Sequence, residues 1–306
     1  MSKYIIRKLL MLPVVLLAVS FIIFMILRFI PGDPARLMAG QQATQQDVEM
    51  MRTKLGLDEN IFIQYADFLQ NALQGDLGNS MRSSKPVISE IKSRFPNTMA
   101  LALSSYTIAV SIGIVSGVLA AVFQYSLFDQ AVMFMAILGA STANFWLALI
   151  AMNFFSVKLG ILPLMGSGSW QHLILPSLSL AFYPTALIAR MSRSSMLEII
   201  RQDYIRTAKA KGLGAVIVYC KHALRNACIP IITVVGLHFG VLFGGAVVTE
   251  TVFNWPGIGR LLIDSVRYRD YPLIQGTVLL TVVMVVLVNF LVDIIIVKID
   301  PRIRLD

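Results

Sequence analysis

The side chains that most often carry catalysis or bind metals are few in this chain of 306 residues. His172, His222 and His238 lie far apart, and Cys220 and Cys228 form neither a C-x-x-C pair nor a zinc-ligand pattern. The sequence has no G-x-x-x-x-G-K-[ST] phosphate loop, no H-E-x-x-H zinc helix and no G-x-S-x-G nucleophile elbow. It therefore predicts no catalytic site, no metal site and no hydrolysis of ATP by this chain.

A short basic segment has the features of a helix that docks on another surface. Asp203 is a suitable N-cap, and Gly212 suits the position after the end of a helix. The residues between them combine small and basic side chains, in the order Tyr204, Ile205, Arg206, Thr207, Ala208, Lys209, Ala210, Lys211. Small residues allow close approach, and basic ones can pair with acidic groups of a partner. The alternative is a loop held at anionic lipid headgroups.

The composition indicates a membrane protein. Hydrophobic residues make up 57% of the chain and charged residues only 14%, whereas soluble domains have about 45–50% and about 25%. The formal charge of +9 is distributed between apolar runs rather than gathered into one tract, so it indicates membrane topology and not binding of nucleic acid.

Six segments are long and apolar enough to approach a crossing of the bilayer, which needs about 20 such residues. They are 9–30, 100–123, 131–156, 173–190, 229–249 and 274–297. The first is too long for a signal peptide, and we expect it to be retained. The predicted fold is an all-α membrane protein. Its predicted parts are a first helix at 1–30, a segment at 31–99, a core at 100–297 with the inner loop 191–228, and a tail at 298–306.

Lysine and arginine predict the orientation. With the N-terminus inside, the inner segments carry 14 basic residues and the two short outer loops carry four. Both termini are therefore predicted to be cytoplasmic. In the inner loop, Ser195 and Glu198 have the spacing of a capping box that could start a short helix.

Charged residues avoid the middles of the six predicted spans. Glu250 lies at the outer end of the fifth span, Asp293 towards the inner end of the sixth, and Arg28 at the outer end of the first. Proton or sodium coupling usually places carboxylates deeper, so the pattern argues against a secondary transporter. His238, within the fifth span, could line a translocation pathway or be a hydrogen-bonded packing residue.

The outer segment 31–99 is predicted to form a helical cap. After the turn residues 31–34, apolar side chains recur at helical spacing around 48–55 and 61–69. A third helix is expected at about 86–94, ending before Pro96, with Asn97 or Thr98 capping the second span. Packing is the expected role of this cap, with ligand contact as the alternative.

Residues 203–212, followed by 221–230, resemble the EAA loop in permease subunits of bacterial ABC importers, above all the dipeptide/oligopeptide/nickel family. Ala208 and Gly212 match the characteristic residues of that loop, whereas Arg206 and Thr207 replace its Glu-Ala, as is typical of the peptide/nickel branch. Residues 31–34, 169–176, 252–260, 269–272 and 300–302 resemble the same branch. The resemblance covers essentially the whole chain and implies a type I ABC importer permease, located in the inner membrane of a bacterium.

The resemblance implies that two permeases form the pathway, that two ATPases bind beneath them with ATP and Mg, and that a periplasmic or lipid-anchored protein delivers the substrate. It assigns residues 204–212 as the coupling helix. It also implies a heterodimer of permeases, because the long outer cap is usually present on one of two partners. Peptides, with glutathione among them, are the expected substrates, and nickel or a nickel chelate is the alternative.

The outer turn is expected to take part as well. Its aromatic side chains stand beside a proline and a glycine that favour a bend, in the order Phe253, Asn254, Trp255, Pro256, Gly257. The hypothesis is that this turn faces the mouth of the pathway and the docked binding protein. The alternative is an aromatic anchor at the edge of the bilayer.

Overall fold

The computed structural model describes residues 2–29, 34–39, 43–54 and 56–299, and the chain is helical over most of this part. The described residues form twelve α-helices: α1 (Ser2–Phe29), α2 (Pro34–Ala39), α3 (Gln45–Lys54), α4 (Ile61–Leu73), α5 (Val87–Val122), α6 (Leu127–Ser141), α7 (Asn144–Ala151), α8 (Gln171–Ile200), α9 (Asp203–Ala210), α10 (Leu224–Val252), α11 (Ile258–Tyr268) and α12 (Tyr271–Ile299). Two π-helical segments, Met152–Lys158 and Ile217–Ala223, follow α7 and precede α10.

The chain divides into two compact units. The larger unit contains Asn97–Pro256 together with the chain after Val285, and the smaller contains Ile6–Pro96 and Gly257–Met284. Each unit has its own apolar clusters. The predicted cap segment shares the smaller unit with most of α1 and with α11.

Five helices are long and apolar enough to cross a membrane, and a sixth span exists if one bent pair is counted. That pair is α6 with the helical residues 144–158, which meet at an angle of 110°. The prediction of one continuous span at 131–156 is therefore wrong in its geometry. The described residues of the other five predicted spans match long helices, apart from residue 123, which follows the end of α5.

Two helices extend beyond their predicted ends. Helix α5 begins at Val87 and continues through Pro96, so the predicted helix at 86–94 and the second span are one helix, and neither Asn97 nor Thr98 is a cap. Helix α8 continues to Ile200 and buries Ser195 within it, so the capping box predicted at Ser195 does not start a new helix. In both cases tertiary packing favours continuation of the helix over a local break.

The two amphipathic helices predicted in the outer segment are confirmed as α3 and α4. Helix α4 lies against α1: the Tyr65 hydroxyl donates to the carbonyl of Leu17 at 3.0 Å, and its ring contacts the ring of Phe24 with centroids 5.3 Å apart. These contacts are internal to the smaller unit and support a packing role for this helix. The turn predicted at 31–33 and the tail at 300–306 lie outside the described residues.

Helices α5 and α8 of the larger unit approach each other closely at Gly117, which has no side chain. A Cβ atom at Gly117 of α5 would lie 2.3 Å from the carbonyl oxygen of Ala189 and 2.7 Å from Cβ of Ser192, both in α8. No side chain fits at such distances, so Gly117 allows the two helices to meet backbone to backbone.

Candidate functional site

Helix α9 ends in a glycine motif, as the sequence predicted. Gly212 has a φ angle of +76°, a region that costs a residue with a Cβ atom roughly 1–2 kcal/mol. Its N–H donates to the carbonyl of Lys209 at 3.0 Å, and the N–H of Leu213 donates to that of Ala208 at 3.4 Å. These are the two bonds of a Schellman motif, which satisfies the last carbonyls of a helix. Gly212 therefore fixes where α9 stops.

The start of α9 differs from the prediction by one residue. The N-cap is Gln202, whose side chain makes no capping bond, and Asp203 is the first helical residue. A carboxylate in the first turn still interacts favourably with the positive end of the helix dipole. The end of α9 is therefore fixed by the backbone conformation of Gly212. Its start is stabilised mainly by the carboxylate of Asp203 at the positive end of the helix dipole.

The inner face of α9 is part of the core of the larger unit. Ile205 has no exposed surface, and Ala208 is 8% exposed. Both pack in one apolar cluster, whose other buried members come from α5, α8, α10 and the π-helical segment before α10: Ala121, Met196, Val218, Ala223, Ala227 and Ile231. Ala208 thus allows close approach to helices of this chain, and not to a partner as the sequence suggested.

The outer face of α9 is exposed and carries cations. Asp203, Arg206, Thr207 and Lys209 are all exposed. Asp203 and Arg206 approach to 3.8 Å, but their side chains are 97% and 80% exposed, and such pairs contribute about 1 kcal/mol or less. Tyr204 accepts a hydrogen bond from Nδ2 of Asn226 at 2.8 Å, which ties the helix to the start of α10. The basic face is therefore supported by the fold and open to a partner.

Helix α8, which leads into α9, is tied to α6 by an ion pair. Nη2 of Arg193 lies 2.7 Å from Oδ2 of Asp129, and Nε of Arg193 bonds the other carboxylate oxygen. The N–H of Tyr125 donates to the same carboxylate at 2.9 Å. A displacement of the last turns of α8 would therefore be transmitted to α6. No sequence pattern pairs these two residues, which stand 64 positions apart.

The outer turn at 253–257 does not present its aromatic rings outward. Phe253 is 2% exposed and packs on α7 and α8. Trp255 is 5% exposed, packs between α5, α8 and α10, and donates from Nε1 to the carbonyl of Asn97 at 3.0 Å. This turn therefore exposes no aromatic surface, because both rings are packed in the core. Residues 253–256 of the turn belong to the larger unit, and Asn254 is the exposed one among them.

A cavity of about 460 Å³ lies beside the break between α6 and α7. Five polar side chains contribute to its lining: Ser141, Thr142, Asn144, Tyr183 and His238. Nδ1 of His238 is buried and has no hydrogen-bond partner among the described residues, so this atom does not fit the alternative of a hydrogen-bonded packing histidine. The sequence analysis missed this cavity. The available signal was three polar residues among positions 141–144 within an apolar run.

Within the residues described, no group of three or more His, Cys, Asp or Glu side chains is arranged to hold a metal ion.

Two family descriptions match the sequence. Residues 113–305 match "Binding-protein-dependent transport system inner membrane component", and residues 1–102 match the N-terminal region of such membrane components.

The chain is similar over its full length to permeases of glutathione transport systems. The glutathione transport system permease proteins GsiC of Escherichia coli K12 and of Shigella flexneri serotype 5b are each 46% identical to this chain over 304 residues, covering 99% of both chains.

Solved structures show the same fold at lower identity. A chain of the inward-facing MetNI methionine ABC transporter matches with a TM-score of 0.57 at 21% identity, over 69% of this chain and 96% of that one. A chain of an amino acid ABC transporter crystallised with histidines matches with a TM-score of 0.55 at 16% identity, over 69% and 94%.

Proposed function

Because this chain belongs to the family of binding-protein-dependent transport system inner membrane components, we propose that it is the permease subunit of an ATP-driven importer of short peptides. The observation that carries this proposal is 46% identity, over 99% of the chain, to permeases named for glutathione transport. The substrate class proposed is therefore glutathione and peptides of similar size.

Helix α9 is the proposed coupling helix. Its inner residues Ile205 and Ala208 are fixed in the core, and its outer residues Arg206 and Lys209 are exposed. A helix that transmits force between subunits needs one face packed firmly in its own chain and another face open to the partner. Helix α9 has these two faces on opposite sides. Nucleotide-driven closure of two partner ATPases, which hold ATP and Mg, would push on the outer face and bias the spans between two states.

The nickel alternative receives less support. The named relatives transport glutathione, and no metal-ligand cluster occurs in the described part of the chain. A nickel chelate would not need protein ligands, so direct transport measurements are the way to separate the two substrates.

The proposed assembly also contains a second permease, preferably a different one, and a periplasmic or lipid-anchored binding protein. In the turn at 253–257, Asn254 is the side chain proposed to meet that protein, because Phe253 and Trp255 are buried. Both chain termini are proposed to lie in the cytoplasm, which places α9 on the side of the ATPases.

Co-purification tests the proposal. The chain is tagged, expressed with its neighbouring genes and purified from membranes as wild type, as the double variant R206E/K209E, and as the control K158E. Lys158 is exposed and lies at the end of the π-helical segment that follows α7. The wild type and K158E are expected to retain two ATPases and a second permease.

The double variant is expected to keep the second permease and to lose about tenfold or more of the bound ATPase, since the charge reversal opposes acidic groups of the partner. If the chain purifies alone and transports without ATP, a secondary carrier is indicated and the proposal fails. If R206E/K209E binds the ATPases as the wild type does, the assignment of α9 fails while the importer assignment stands.

A further inference from the structure

The break between α6 and α7 lies in a helical run that is otherwise apolar enough to cross a membrane. Thr142 ends α6 and Ala143 precedes α7, where no side chain caps the new helix. Non-helical backbone at the depth of the bilayer is tolerated only where it is buried in protein or lines a water-filled cavity. A cavity of about 460 Å³ lies beside the break and is large enough to hold water.

The lining of this cavity is mostly apolar, carries no formal charge and includes five polar side chains. Hydroxyl, amide and imidazole groups from α6, α7, α8 and α10 contribute to it, and the remaining lining residues are small or apolar. Polar groups inside a membrane face a protein interior or an aqueous pathway, and they mark routes of substrates. His238 contributes to this lining, and its Nδ1 atom is buried without a hydrogen-bond partner among the described residues.

A glycine keeps the cavity open near Asn144. A Cβ atom at Gly245 would lie 3.2 Å from Cδ1 of Leu180 and 3.7 Å from Nδ2 of Asn144. A side chain at position 245 would therefore press on Leu180 and lie in contact with the amide of Asn144.

We propose that this cavity is a peptide-binding site within the membrane, in which Asn144 and His238 form hydrogen bonds with the main chain of a transported peptide. A side-chain amide offers both a donor and an acceptor, the same pair that a peptide unit presents, and an imidazole adds one of each. The volume falls within the range of about 300–1,000 Å³ found for small-molecule sites.

Recognition of the main chain suits transport better than recognition of charge. Conduction requires binding that is favourable enough for entry and weak enough for exit. Uncharged groups that pair with peptide amides bind every short peptide alike, so selection among side chains is left to the binding protein. This inference rests on the proposed function as a peptide permease and adds to it the residues that meet the substrate.

The first test measures uptake of a dipeptide and of glutathione by the full complex in proteoliposomes. The variants are N144L and H238L, with H238Q as the conservative replacement and H172L as the matched histidine control. His172 bonds the main-chain N–H of Ser169 and lies outside the cavity. N144L and H238L are expected to lower uptake by about fivefold, the effect of one lost net hydrogen bond, in complexes that retain the second permease and both ATPases. H238Q is expected to recover part of the loss, and H172L to match the wild type.

A second measurement does not depend on removing either recognition group. In a chain with C220S and C228S, the thiol of T142C is labelled with a water-soluble maleimide. Millimolar dialanine or S-methylglutathione, which has no free thiol, is expected to slow the labelling several-fold, whereas free alanine is not. Unchanged labelling would overturn the site.

The outcomes separate the two proposals. Wild-type uptake by both N144L and H238L would overturn the peptide site and leave the importer intact. Absence of any peptide uptake by the wild-type complex would overturn the proposed function, and the site with it.

Discussion

Asp129 and Arg193 form a two-bond ion pair that joins the first turn of α6 to the last turns of α8. The carboxylate of Asp129 is 4% exposed and the guanidinium side chain of Arg193 is 22% exposed. A bidentate pair of this kind fixes direction as well as distance. It connects the helix that leads into α9 with the helix that ends at the cavity beside the break.

Removal of the arginine is expected to destabilise the protein. R193M leaves the carboxylate of Asp129 buried without its cation, and breaking such a pair costs about 3–5 kcal/mol. The apparent melting temperature of the purified protein is the measurement. The control is R190M, because Arg190 is exposed. Equal melting of R193M and the wild type would show that the pair contributes nothing to stability.

Substitution of Gly117 by alanine is expected to separate α5 from α8. The new Cβ atom would meet the carbonyl oxygen of Ala189 at 2.3 Å, and overpacking of this kind costs about 1–3 kcal/mol. G244A is the matched control, because a Cβ atom at Gly244 meets nothing within 4 Å. Expression level and thermal stability should fall for G117A alone, and an equal fall in both variants would refute the steric explanation.

Trp255 is expected to act through the core of its unit. W255A should lower stability by about 3–5 kcal/mol through the cavity it creates, whereas W255F should lose about 1 kcal/mol with the hydrogen bond to Asn97. Trp170 is 74% exposed, and W170A serves as the control. Thermal unfolding of the three variants is the check. A W255A protein that is fully stable but fails to take up substrate would instead support the original assignment of this ring to the mouth of the pathway.

The two faces of α9 are expected to respond differently to mutation. I205A removes a fully buried side chain and should cost about 2–5 kcal/mol of stability. R206E changes an exposed side chain, and surface substitutions usually stay within about 0.5 kcal/mol, so it should fold normally and bind less ATPase. Parallel measurement of thermal stability and ATPase retention separates the two effects. A stable I205A, or an unstable R206E, would contradict the orientation of the helix.

Local signals predicted some elements well. The apolar runs located five helices that cross the membrane, since length and composition suffice for that purpose. The glycine at 212 located the end of α9, because a positive φ angle has few alternatives to glycine. These are features whose physical cause lies within a few residues of the chain.

Other elements depend on contacts that no local pattern records. Trp255 beside a proline and a glycine reads as an exposed turn, yet the ring is buried because distant helices form a pocket for it. Likewise, the break after Ser141 interrupts an apolar run without any proline or glycine at positions 141–144. The partner of Arg193 is 64 residues away, and only the assembled helices bring it into range.

The packing of α9 against other helices of this chain determines which segments can be exchanged between permeases of this family. Ala208, which is part of the motif that identifies the loop, packs in the same apolar cluster as Met196 and Val218. In a chimera that exchanges only residues 203–212, the inner face of α9 would come from one permease and the residues it packs against from another. The better module to exchange is the longer stretch from Met196 to Ile231, which carries every buried member of the cluster except Ala121. A graft bounded there would keep most of these contacts within one sequence, so it would test partner choice with less disturbance of the fold.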